Sequence, residues 1–255
     1  MSKKHETHSD KKYHVPDHTS HAEKVAKNFF TWLGSHRKLI LLVFLGIVVI
    51  SAAVITLRVI QTTKKNKIVT AFYQANRDFA EKIQKRLFDE NALGTTMKAL
   101  RNITEMSSSV EESLMARYSL GLLHYNIARE QNKTNHYFQA RNYWLEVAKH
   151  KSFAFAPQSL LAIGSAYEEL NKPNFYTRAI EFYDTVIRQY PTTIFEFRAL
   201  YKKGLAYIKL NKKDLALATL KKIPRYIAGE ETAKRENFYY TLAQYYVIML
   251  ESQSS

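Results

Sequence analysis

The side chains with the most chemical potential in this sequence are its histidines and its adjacent acidic pairs. Five histidines, His5, His8, His14, His18 and His21, crowd the first 22 residues. Such a tract could bind a metal weakly. Their irregular spacing matches no fixed coordination geometry, and the polar stretch around them buries too little apolar surface to order itself. The expectation is a solvated, disordered tail over residues 1–22 with no metal site. His124, His136 and His150 are scattered, no HExxH occurs, and His124 reads as a packing histidine. Glu111-Glu112, Glu168-Glu169 and Glu230-Glu231 are sequence neighbours. Adjacent residues on a helix do not face one another, so these pairs are poor acid–base couples. Neither GxGxxG nor GxxxxGK[ST] is present, so phosphate-cradling loops are missing. With no cysteine there is no disulfide, thiol nucleophile or thiolate metal site. The sequence therefore predicts no catalytic residue, no cofactor and no enzyme activity.

The residue types that remain suit recognition. There are 17 tyrosines and 14 phenylalanines, and 38 Lys/Arg against 23 Asp/Glu. Seven glycines and five prolines are too few for the turns of an all-β fold. The basic residues are spread along the chain, and no zinc finger, RNP motif or basic zipper occurs, so nucleic acid is not the expected partner.

Residues 23–38, EKVAKNFFTWLGSHRK, place Val25, Phe29, Trp32 and Leu33 near one helical face, as in an interfacial helix. An uncharged run follows, LILLVFLGIVVISAAVITL, long enough as a helix to cross a bilayer. Arg37, Lys38 and Arg58 bound it. A transmembrane helix over 39–60 is expected. A signal peptide cleaved near Ala53 would need an n-region far longer than usual. Basic residues flank both ends about equally, so charge alone does not set orientation.

Residues 61–255 read as helix after helix. In residues 157–191, Leu160, Ile163, Gly164 and Tyr167 are followed by Ala179, Tyr183, Val186 and Pro191, the spacing of a tetratricopeptide repeat (TPR) with extra residues in its turn. Leu200, Gly204, Tyr207, Ala216, Leu220 and Ile223 repeat the pattern. Leu120, Gly121, Ala140, Trp144 and Val147 do so across a long connection. Ala99, Ile103 and Met106 suggest an earlier second helix, its partner being 64–87. Tyr239, Leu242, Ala243 and Tyr246 suggest a final capping helix. Long loops are expected at 129–139 and 171–176. The predicted fold is all-α: a transmembrane helix, then a TPR-like solenoid of about four hairpins and a cap. No single hairpin buries its own face, so the units must stack.

The order of FFTWLGSHRKLI running into one anchor, the AFYQANRDF helix and the hairpins resembles the YfgM-like family, ancillary subunits of the bacterial SecYEG translocon. That resemblance implies an inner-membrane protein, its N-terminus cytoplasmic and its TPR domain periplasmic. It also implies binding to the translocon, to periplasmic chaperones or to emerging clients. In TPR stacks the first helices line a concave groove. Their groove offsets give Tyr118 and Tyr125, with Met115 and Leu122; Leu161, with Gln158, Ser165 and Glu168; Arg198, Tyr201 and Lys202; and Tyr240. Arg198, Tyr201 and Lys202 are expected on one face, where tyrosine offers contact area and the cations hold a carboxylate. The reading is a membrane-anchored scaffold for protein partners. The alternative is a structural assembly factor acting by self-association.

Overall fold

The computed structural model describes residues 21–106, 111–225 and 237–252. The expected disordered tail lies, but for His21 and Ala22, outside them. The chain divides into two units, residues 1–62 and 63–255.

In the first unit, α1 (His21–Ser35) ends one residue before α2 (Arg37–Gln84), which runs on into the second unit. Phe29, Phe30 and Trp32 of α1 are exposed, with Phe29 and Trp32 stacked at 6.5 Å. The apolar side chains at the start of α2, Leu39 and those from Leu41 to Ile60, are likewise exposed. Water does not favour such a surface, whereas hydrocarbon would. Among the described residues, α2 is the one helix long and apolar enough to cross a membrane.

The second unit is built from helices alone among its described residues: the end of α2, then α3 (Glu90–Met106), α4 (Glu111–Gln131), α5 (Thr134–Ala148), α6 (Ala156–Glu169), α7 (Pro173–Gln189), α8 (Ile194–Lys209), α9 (Lys213–Leu220) and α10 (Phe238–Ser252). From α3 to α9 each helix packs on the next. The first helices α4, α6 and α8 also touch in turn, forming an inner layer, and α10 closes the end against α8 and α9.

Three glycines set how closely the hairpins pair. A Cβ at Gly121 would lie 2.6 Å from Cδ1 of Trp144, one at Gly164 2.6 Å from Cζ of Tyr183, and one at Gly204 2.5 Å from Cδ2 of Leu220. Each large residue stands four after a fully buried alanine, Ala140, Ala179 or Ala216. The alanine lets the helices approach, and the large side chain fills the space over the glycine.

The turns share a device too. Arg86, Asn132, Asn171 and Asn211, each just past a first helix, are left-handed (φ 55°, 58°, 49° and 55°). At three of them the following N–H reaches back five residues: Leu87 to the Lys82 carbonyl, Lys133 to Ala128, and Lys212 to Tyr207. That is the Schellman helix stop. Pro157 and Pro173 start α6 and α7, where a missing N–H costs nothing. Thr193 caps α8 by accepting from the Glu196 N–H, and the Glu196 carboxylate accepts from Thr192 N–H.

Two expectations from the sequence are corrected. The segments 129–139 and 171–176 are not long loops: α4 runs to Gln131, α5 begins at Thr134 and α7 begins at Pro173. The extra residues are added turns of helix, which preserve the register of the buried stripe. In α3, Ala99 is half-buried, and the small residue in the tight contact is Thr96, one turn earlier. Its hydroxyl donates to Asp78, and Lys82 bonds both groups, so a polar bridge replaces the close Gly–Ala contact.

Candidate peptide-binding groove

On the inner layer a cavity of about 200 Å³ opens between three successive first helices. From α4 come Tyr118, Leu122 and Tyr125, one stripe at spacings of four and three. From α6 come Gln158, Leu161, Ala162 and Ser165, and from α8 comes Arg198. Trp144 of α5 forms part of the floor, its indole N–H donating to the Tyr118 carbonyl at 3.2 Å. That bond ties the floor to the wall, because Trp144 is also the residue that covers Gly121.

The polar groups of this cavity are unevenly satisfied. The Tyr125 hydroxyl donates to Glu169 at 2.8 Å; burial first, and that carboxylate second, push its phenol up, so it remains a neutral donor. Tyr118 leans on the Phe155 ring, centroids 4.9 Å apart. Burial raises the Tyr118 phenol, and the Arg198 charge opposes the rise. Arg198 is exposed and makes no ion pair among the described residues. Gln158 carries a buried side-chain oxygen with no hydrogen-bond partner there either. Leu161 is 1% exposed and gives an apolar floor. A ligand here would meet aromatic and aliphatic surface, a free guanidinium and a free amide acceptor. An extended peptide offers the complement: side-chain apolar area, a carboxylate for Arg198 and an N–H for Gln158.

Of the residues expected in the groove, the structure brings Tyr118, Tyr125, Leu161 and Arg198 together. Tyr201, Lys202 and Tyr240 instead have partners inside the chain. Tyr201 packs its ring against Tyr239 and Tyr246 of α10, at 5.9 and 6.1 Å, and burial followed by those tyrosines pushes its phenol up to about 12. Lys202 pairs with Glu168 of α6 at 3.0 Å, both largely covered. Tyr240 packs against the apolar cluster formed by α8, α9 and α10. The single face expected for Arg198, Tyr201 and Lys202 is thus shared out among the cavity, α10 and α6. Trp144 was missed as a floor residue, although its place four after Ala140 was visible in the sequence.

Residues 158–193 and 198–226 match the tetratricopeptide repeat family. These two segments, α6–α7 and α8–α9, are tetratricopeptide repeats, a class that generally binds proteins. No curated protein and no solved structure matches the chain.

Proposed function

We propose that this chain is a membrane-anchored scaffold whose TPR groove captures a segment of another protein, with no catalytic step of its own. The observation that carries this reading is the cavity between α4, α6 and α8, where, among the described residues, exposed Arg198 makes no ion pair and the buried Gln158 oxygen has no hydrogen-bond partner, beside Tyr118 and Leu161. A buried polar atom left unpaired, such as the Gln158 oxygen, is costly, and a bound peptide would relieve the cost. The uncovered apolar stretch of α2 supports the anchor. Through the resemblance to YfgM-like proteins, the proposed setting is the bacterial inner membrane, with the N-terminus cytoplasmic and the TPR unit periplasmic. The proposed partners are then the SecYEG translocon, periplasmic chaperones or emerging clients.

A photo-crosslinking side chain at position 118, activated in intact membranes, should join this chain to a discrete partner. Arg198→Glu should remove the adduct. Adducts that are diffuse, or that survive Arg198→Glu unchanged, would count against the groove. The second reading, self-association, draws on Phe238, Tyr245 and Ile248 exposed along α10. It predicts that the mass of the soluble unit rises with concentration, and that the adduct is a dimer.

A further inference from the structure

A second cleft, of about 390 Å³, lies between the second helices α3 and α5, over α4. Arg101 of α3, Arg117 and His124 of α4, and Asn142, Tyr143 and Glu146 of α5 line it. Behind it runs a chain of polar atoms. His124 Nδ1 lies 2.8 Å from His136 Nδ1, and His136 Nε2 lies 2.6 Å from a Glu90 oxygen that also accepts from Lys133 at 3.2 Å. His124 is 1% exposed, stacked on the Tyr143 ring at 5.6 Å, and its other nitrogen, Nε2, has no hydrogen-bond partner among the described residues. A buried ring nitrogen left bare calls for an explanation.

The cleft is electropositive. Glu146 is its one acidic lining residue, and its carboxylate is held by Lys149 at 2.6 Å. One Arg117 nitrogen donates to the Thr104 carbonyl at 3.1 Å, which fixes the side chain; its guanidinium makes no ion pair among the described residues. Arg101 is exposed and makes no ion pair among the described residues.

We propose that this cleft is a binding site for a small oxyanion, of the sulfate or phosphate class, held by Arg101, Arg117 and the Nε2–H of His124. The proton count follows from the chain behind it. Ionised Glu90 accepts, so His136 donates from Nε2, and one proton lies between the two Nδ1 atoms. With His136 neutral, that proton belongs to His124, whose Nε2 is then a buried bare lone pair on a ring that lines the cationic cleft. When His136 takes one proton from solvent, it donates from both nitrogens. His124 then accepts at Nδ1 and carries its own proton on Nε2, ready for an anion. Binding is therefore coupled to uptake of one proton. Burial, then His136, then the Arg101 charge hold the His124 ring down to about 4, so the added proton does not rest on His124. The charged and titratable groups around the histidine pair are Glu90 and Arg101 from α3, Arg117 from α4, Tyr143 and Glu146 from α5, and Lys133 at the turn. Imidazole is the side-chain type whose ordinary range lies between weakly acid and weakly alkaline pH.

The test is calorimetric titration of the full chain, in non-ionic detergent, with sodium sulfate against sodium chloride at matched ionic strength. Sulfate keeps its charge over the range used, so any pH effect belongs to the protein. The expected result is saturable binding of one sulfate, about tenfold tighter at about pH 6 than at about pH 8. One proton should be taken up per ion, read from buffers of different ionisation enthalpy. Arg101→Gln alters an exposed side chain, so the fold is kept, and affinity should fall about tenfold or more. The His124 ring nitrogens should shift on titration in a nitrogen NMR spectrum. No saturation beyond chloride, an unchanged affinity in Arg101→Gln, or equal affinity at both pH values would each overturn the proposal.

Discussion

Gly164→Ala is the sharpest test of how the hairpins are held. The added methyl would stand 2.6 Å from Cζ of Tyr183, closer than carbon atoms approach without something moving. Tyr183 is fully buried and cannot swing into solvent. Alanine is the better helix former by roughly 0.5–1 kcal/mol. Overpacking a filled site costs about 1–3 kcal/mol. The clash should win, with a net loss of about 1–2 kcal/mol. Gly94 of α3 is the control, because a Cβ there meets nothing within 4 Å. Gly94→Ala should stabilise by roughly 0.5–1 kcal/mol. Residues 63–255 form a compact unit, so the variants are best compared by thermal unfolding of that fragment. A loss of this size lowers the melting temperature by roughly 3–6 °C in a domain of this length. If Gly164→Ala melts at or above the parent while Gly94→Ala behaves as expected, the close-contact account of the hairpins is refuted.

Three further predictions concern acid, turns and topology. The His124 ring is held down to about 4 by burial, against an unfolded value near 6.5. Its contribution to stability is therefore complete above about pH 6.5 and is lost as pH falls towards about 4. The loss is up to about 3 kcal/mol, and urea unfolding over that range should show it, with a shallower slope in His124→Gln. Asn171 is left-handed and accepts from the Tyr176 hydroxyl at 2.7 Å. Asn171→Ala should cost roughly 1–2 kcal/mol and Asn171→Gly distinctly less, measured by urea midpoint; equal losses would remove the backbone argument. Protease added to spheroplasts should digest the TPR unit and spare the N-terminal tail, whereas digestion only after lysis would reverse the proposed orientation.

Much of the fold was legible in the sequence because TPR packing is written in residue size. A small residue with a large one four later, as in Ala179 and Tyr183, specifies both helix and partner face. Thr96 hid the same position in α3, since a threonine bridged by Asp78 and Lys82 does not look like a small residue. The connections were misread for a different reason. Residues such as Arg129 and His136 carry no turn signal, and only the left-handed Asn132 and Asn171 mark where the chain reverses. The recurring Asn-Lys at 132–133, 171–172 and 211–212 was the available clue. The groove was legible as a set of first-helix offsets, which placed Tyr118, Leu161 and Arg198 together. Spacing could not say which neighbour each residue of α8 would meet. Tyr201 went to α10 and Lys202 to Glu168 because stacking of the next helix, not the helix itself, decides that. The His124–His136–Glu90 chain was out of reach, since it spans three helices and 46 residues of sequence.

The cavity around Tyr118 and Arg198 is proposed to hold a protein segment. The most direct measurement is partner capture from intact membranes by the doubly substituted chain, Tyr118→Ala with Arg198→Glu, compared with the parent and with Lys203→Ala, which alters a lysine paired with Asp184 outside the cavity. The double variant should lose capture while staying folded by circular dichroism, and Lys203→Ala should keep it. A folded double variant that captures the partner as the parent does would contradict that proposal.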